Sequence, residues 1–169
     1  MLSLPGGLAS LSSYRSKGSA ACLGIDADPQ TSFRTSSGDL AWWRVDLGVT
    51  RCVWNVNIIC SNLISNGEYQ TLISQCLMIF TMMVVLSKLL IISPFFSGYV
   101  PPTDILITVT SEESETVDDV NSWCGQIEGA LSEDTLVVCD DPMSGRFVQV
   151  HNRGHNSSFH LAEVEVFGF

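Results

Sequence analysis

Apolar and polar side chains alternate with a period of two along most of the chain. In CVWNVNIIC the residues Trp54, Val56 and Ile58 fall on one face, and in DILITVT it is Ile105, Ile107 and Val109. In AEVEVFG, Ala162, Val164 and Val166 alternate with Glu163 and Glu165. This period marks half-buried antiparallel strands. Turn-rich segments such as DADPQTSFRTSSGD and DDPMSGR separate them, and no stretch reads as an amphipathic helix capped at both ends. The pattern predicts an all-β protein, most simply a sandwich or jelly roll, without internal repeats.

One stretch breaks the alternation. SQCLMIFTMMVVLSKLLII, residues 74–92, is the most apolar run in an otherwise polar, acidic sequence. Extended back to Leu72 it covers about 21 residues, enough as a helix to cross a hydrocarbon layer of roughly 30 Å.

At 169 residues the length suits one domain. The 18 acidic and 8 basic side chains give a formal charge of -10, which argues against a nucleic-acid partner and makes cations the natural ones. The acidic run SEESETVDDV reads as a solvated loop. The opening MLSLPGGLAS has neither the basic leader nor the apolar core of a secretory signal, yet six cysteines without a C-x-x-C pair favour an oxidising, extracellular compartment.

AWWRVDLG, residues 41–48, follows AACLGIDAD, and the chain closes with GRFVQVHNRGHNSSFHLAEVEVFG. Paired tryptophans alone point to core and rim packing. In this order, however, the segments resemble the fucolectin, tachylectin-4 and pentraxin-1 type of domain, a branch of the coagulation factor 5/8 type C (discoidin-like) superfamily. The resemblance spans nearly the whole chain outside residues 62–100. It implies a jelly-roll β-sandwich, galactose-binding-domain-like, running over 1–169 with residues 68–98 as an interruption.

The resemblance also implies a calcium ion, which takes about six to eight hard oxygens. Carried over position by position, the ligands are the carboxylates of Asp26, Asp28 and Glu163, the carbonyls of Leu23 and Ala162, and the hydroxyl and carbonyl of Ser37. Asp28 stands where the family usually has asparagine, and Ala162 where it has a cysteine. The partner of that cysteine would lie one residue after Ser37, where this chain has Gly38, so both ends of one family disulfide are absent together. The other family bridge is implied between Cys124 and Cys139, and closing a loop of about fifteen residues contributes on the order of 3 kcal/mol. Read without the family, Asp26 and Asp28 beside Pro29 are ordinary turn aspartates. The partners of Cys22, Cys52, Cys60 and Cys76 stay open; on one straight strand Cys52 and Cys60 lie roughly 26 Å apart and cannot pair.

Fucose-binding relatives place a histidine three residues beyond the calcium serine, where this chain has Leu40, and use two arginines and an adjacent cysteine pair absent from SNLISNG. Arg34, Trp42 and Arg44 are the candidate ligand-binding residues, with a structural role as the alternative for Arg44. His151, His155 and His160 lack a regular metal spacing and read as surface hairpin residues. Asn156 in NSS is a glycosylation acceptor. No catalytic constellation appears, so an enzyme is not expected.

A membrane helix at 72–92 would separate WWRVDLG from EVEVFG, which belong to one sandwich. Another reading uses codons. GEY, residues 67–69, can be encoded by GGT GAG TAT, which contains a splice-donor sequence. PFFSG, residues 94–98, can be encoded by a pyrimidine tract ending in CAG. Both cuts fall after the first base of a glycine codon, and joining them runs VNIICSNLISNG into YVPPTDILITV. Residues 68–98 are therefore read as translated intron, with a genuine insertion or anchor as the alternative. The expected molecule is a secreted, calcium-binding, fucolectin-like carbohydrate-recognition module whose partners are glycans, fucosylated ones included, or cell-surface glycoproteins. Homo-oligomers are compatible with it; nucleic acid and a true membrane span are not. The alternative is a protein-binding or adhesion module that kept the scaffold and calcium site but lost fucose binding.

Overall fold

The alternating segments form strands, and two of them run far longer than the alternation alone suggested. The computed structural model describes residues 8–13, 20–37, 40–61, 102–113, 119–132, 134–155 and 158–169. Strands β1 (Leu8–Leu11), β2 (Phe33–Arg34), β3 (Ala41–Cys60), β4 (Thr103–Thr110), β5 (Trp123–Ala130), β6 (Asp134–Asn152) and β7 (His160–Gly168) are joined by loops with 3₁₀ turns at Ala21–Gly24 and Val120–Ser122. The described residues lie in one unit drawn from 1–61 and 100–169. The apolar run and its reading as intron lie outside the described residues.

Every pairing is antiparallel, in the order β2-β7-β3-β6-β4-β5 with β1 on β3. β3 and β6 form a long ribbon whose register breaks between Asp46 and Arg51. Gly48 sits in this break at φ +80, a backbone region that side chains with a Cβ rarely enter. Before the break β3 carries β1 on its other edge; after it, β7. One ribbon thereby serves both layers, and their inner faces make the core.

The fully buried side chains include Trp43, Phe33, Phe159, Ile58, Ile105, Ile107 and Leu161. Ile105, Ile107 and Val109 share the inner face of β4 as their spacing predicts. The face assigned to Trp54, Val56 and Ile58 needs correcting. Val56 and Ile58 are buried, but Trp54 is 45% exposed and Val53 takes the inner position. A register shift between Val53 and Asn55 inserts one residue and reverses the facing of everything before it. Trp54 instead packs edge to face with Phe169, centroids 5.2 Å apart.

Cys124 and Cys139 form a disulfide between β5 and β6, Cα atoms 4.3 Å apart. Cys52 and Cys60 share β3 and do not bond to each other, while Cys22 is an exposed thiol.

The two ends of β3 meet. Trp43, near its start, stacks on Phe33 with centroids 5.9 Å apart. Phe33 pairs with Leu161, which also faces Cys60 at the end of β3. β4 starts at this same end, since Ile105 and Ala41 flank Asn152. The loop at 20–37 and the start of β7 gather there too.

Candidate functional site

The loop before β2 is pinned from beneath by the core. Trp43 Nε1 donates to the Ala21 carbonyl at 2.9 Å, holding the first 3₁₀ turn on the sandwich. Gly24 follows, where a Cβ would come within 2.6 Å of the Phe33 ring, so only glycine lets the turn sit this close. Ala27 then takes a left-handed φ of 61 and reverses the chain.

This reversal aims the Asp28 backbone N–H at two carboxylates. It donates to Asp26 Oδ1 at 3.0 Å and to Glu163 Oε1 at 2.9 Å, across 135 residues of sequence. The Thr31 hydroxyl donates to Asp26 Oδ2 at 2.8 Å and lies 3.1 Å from the Asp28 carbonyl oxygen. The Asp28 carboxylate turns the other way and accepts from the Gln30 N–H at 2.9 Å.

Glu163 comes from β7, where the register with β3 shifts between Ile59 and Cys60 and leaves Ala162 out of the ladder. Alternation had placed Glu163 on the solvent side, but it is 3% exposed. Its side chain keeps the outward face of β7 that alternation gives it, and the 20–37 loop covers it there through the Asp28 amide. As a carboxylate, its buried Oε2 has no donor to accept from; only the protonated carboxyl bonds to Asp26. Burial, and then the neighbouring Asp26 carboxyl, pushes the Glu163 pKa up to about 7. For Asp26, burial acts upward, but hydrogen bonds from the Thr31 hydroxyl, the Asp28 amide and the Glu163 carboxyl outweigh it, and its pKa falls below the usual value. A buried carboxylate oxygen with nothing to accept is costly, and a hard cation satisfies it as well as a proton does.

Of the six residues suggested as ligands, the fold brings together Asp26, Glu163 and the backbone of Asp28. Ala162 is buried beside Glu163, and Leu23 is half-buried in the 3₁₀ turn. Ser37 is exposed, and no hydrogen bond joins it to the cluster among the described residues. No group of three His, Cys, Asp or Glu side chains is gathered as a ready metal cage among the described residues. Thr31 escaped sequence reading; its only signal was a hydroxyl five positions after Asp26 in a turn.

The three suggested ligand-binding residues do not form one site. Arg34 lies on β2, its Nε 3.4 Å from Ser158 Oγ. Trp42 and Arg44 share the outer face of β3, where Arg44 is buried and ion-paired to Glu113. The described residues of the acidic run, Glu113 included, are exposed, in keeping with a solvated loop. Leu40, at the histidine position of fucose-binding relatives, is 58% exposed. Asn156 lies outside the described residues.

Two of the three histidines are buried, correcting their assignment to the surface: His151 is 2% exposed and His160 5%, while His155 is exposed. His160 Nε2 lies 3.2 Å from Ser32 Oγ and His151 Nε2 lies 3.1 Å from Thr108 Oγ1. Burial, then the charge of Arg153, lowers the His151 pKa from 6.5 to about 4. A depressed folded-state pKa means that His151 contributes stability above pH 6.5 that is lost as pH falls through about 4, up to about 3 kcal/mol. Urea unfolding between pH 7 and 4 should therefore show an acid loss in the wild type that His151→Gln lacks; parallel pH profiles would overturn the assignment.

Among the described residues, no helix is long and apolar enough to cross a membrane. No family model and no curated protein matches the chain. Solved structures do. A fucolectin from the serum of striped bass (Morone saxatilis) superposes with a TM-score of 0.63 at 20% identity, over 96% of this chain and 45% of that one. The chain thus spans under half the length of that lectin. The lectin domain of lectinolysin, complexed with Lewis B antigen, gives 0.61 at 20% identity over 97% and 94%. Chitosan-binding module 2 of a Paenibacillus sp. IK-5 chitosanase/glucanase, in complex with chitotriose, gives 0.64 at 14% identity over 96% of each chain. With its strands antiparallel throughout and folded over one β3-β6 ribbon, this chain has the discoidin-like fold of the fucolectins and fucose-binding lectin modules.

Proposed function

We propose that this chain is a non-catalytic, calcium-binding carbohydrate-recognition module, exported to an oxidising compartment where the Cys124–Cys139 disulfide persists. The observation that carries the reading is the convergence of Asp26 and Glu163 on one backbone amide, with a buried and unsatisfied Glu163 Oε2, on a fold shared with glycan-binding modules. Asp26 and Glu163 would hold the cation. The Asp28 carboxylate, the Ser37 hydroxyl and the Leu23 and Ala162 carbonyls are the proposed completing donors. Bound there, a cation supplies charge neutralisation. The chain's own contribution is to tie the 20–37 loop to β7 and so fix the loops at this end of the sandwich, where a glycan would lie.

Leu40 favours a second reading, an adhesion module without fucose recognition. An exposed apolar side chain replaces the hydrogen-bonding histidine, and sugar hydroxyls need such donors. A glycan array probed in calcium and again in chelator separates the two. The lectin reading expects calcium-dependent signal on a defined set of glycans, and free L-fucose, titrated alone, is expected to stay unsaturated at millimolar concentration. A blank array in calcium overturns the lectin reading, and tight binding of free fucose overturns the role given to Leu40.

A further inference from the structure

The ion pair on the outer face of β3 is incomplete. Arg44 Nη2 donates to Glu113 Oε1, and the guanidinium lies 4.8 Å from the centre of the Trp42 ring and 5.9 Å from that of Phe147. Arg44 Nη1 has no acceptor. Directly across the strand pair stands Gln149, 3% exposed, whose Nε2 also has no acceptor. Two buried donors on cross-strand neighbours are thus both unmet, in a protein interior where such groups are nearly always paired.

A guanidinium is a fork that engages an oxyanion through two parallel bonds, and here only one tine is used. The carboxylate that uses it is the replaceable partner: the Glu113 side chain is 65% exposed, that of Arg44 8%. An incoming carboxylate could take both guanidinium tines and share one of its two oxygens with Gln149, and a sulfate could present a third oxygen there. Trp42 and Phe147, half-buried beside the guanidinium, hold it by cation–π contact and bring aromatic surface to the edge of the site.

We propose that Arg44 and Gln149 form a binding site for the oxyanion substituent, sulfate or carboxylate, of an acidic sugar, with the Glu113 carboxylate as its resident intramolecular substitute. The sugar part rests on the carbohydrate reading; the oxyanion part does not, and neither requires calcium. With a formal charge of -10 the protein draws no general benefit from anionic ligands, so binding depends on the geometry of this fork.

Isothermal titration in chelator with galactose 6-sulfate, glucuronate and neutral galactose tests the proposal on the full chain. Wild type should bind one or both anions weakly, and Glu113→Gln at least about tenfold more tightly, because the competing carboxylate is gone. Adding Gln149→Met to Glu113→Gln should abolish that gain while leaving Tm unchanged or raised, since it removes an unpaired buried donor. Galactose should give no heat, and the ratio of sulfate to glucuronate affinity identifies the preferred oxyanion. Absence of anion binding by Glu113→Gln, equal binding after Gln149→Met, or equal binding of galactose each overturns the site. Anion binding alongside a blank neutral glycan array would retain this site and discard the calcium-dependent lectin reading; the converse would discard this site alone.

Discussion

Deleting residues 68–98 is expected to convert an aggregation-prone chain into a soluble one that keeps the same ligand behaviour. The described fold states why the deletion is geometrically acceptable. β3 ends and β4 begins at the same end of the sandwich, linked through the contacts of Cys60 with Leu161, Phe33 with Trp43, and Asn152 with Ala41 and Ile105. Residues 61–67 and 99–102 would remain to connect them. The deletion removes Cys76 and Lys88 but none of the proposed cation ligands and neither half of the Cys124–Cys139 bridge. The removed stretch is a long, nearly uncharged apolar run, the composition that drives association when exposed. Both forms, expressed in an oxidising secretory host, should differ sharply in yield and monodispersity. A well-behaved full chain with a misfolded deletion, or mature transcripts that all retain the segment, would show that 68–98 is a genuine insertion.

Calcium is expected to raise the melting temperature of the protein, and Asp26→Ala and Glu163→Ala should each abolish the rise. An ion bound only by the folded state stabilises by mass action, about 2.7 kcal/mol at about a hundredfold excess over Kd. For a domain of this size that is roughly 5–10 °C. The sign of the pH dependence follows from Glu163. Without a cation its folded pKa stands near 7, above the ordinary 4.5, so its contribution is fully present below pH 4.5 and is lost as pH rises through about 7. In chelator, stability should therefore fall over that interval relative to Glu163→Gln, opposite in sign to the contribution of His151. Calcium requires the ionised carboxylate and should restore stability most at the upper end of the interval. A melting temperature indifferent to both calcium and chelator would remove the cation from the proposed function.

The deletion and the calcium shift test different links, and they show where sequence stops being informative. Period-two alternation suffices to predict strands, because side chains on a pleated backbone must point alternately to either face. Ile105, Ile107 and Val109 could be assigned to the core from spacing alone. The pairing of Cys124 with Cys139 followed from family resemblance and not from spacing.

What spacing could not carry was a change of phase, or the cover that a distant segment lays over a strand. The extra residue at Trp54 moves that ring to the surface and brings Val53 inward, while Glu163 keeps its outward face and is buried by a loop 135 residues away from it in sequence. The first depends on hydrogen-bond register with neighbouring strands and the second on tertiary packing, and no local pattern encodes either. The burial of His151 and His160, and the pairing of Arg44 with Glu113, depend likewise on which segments pack over them. The sequence by itself determined the strands and the faces of their regular parts. Only the tertiary structure decided that Asp26 and Glu163 share one amide while the Asp28 carboxylate bonds to Gln30, because a left-handed residue at Ala27 lays the loop over the outer face of β7.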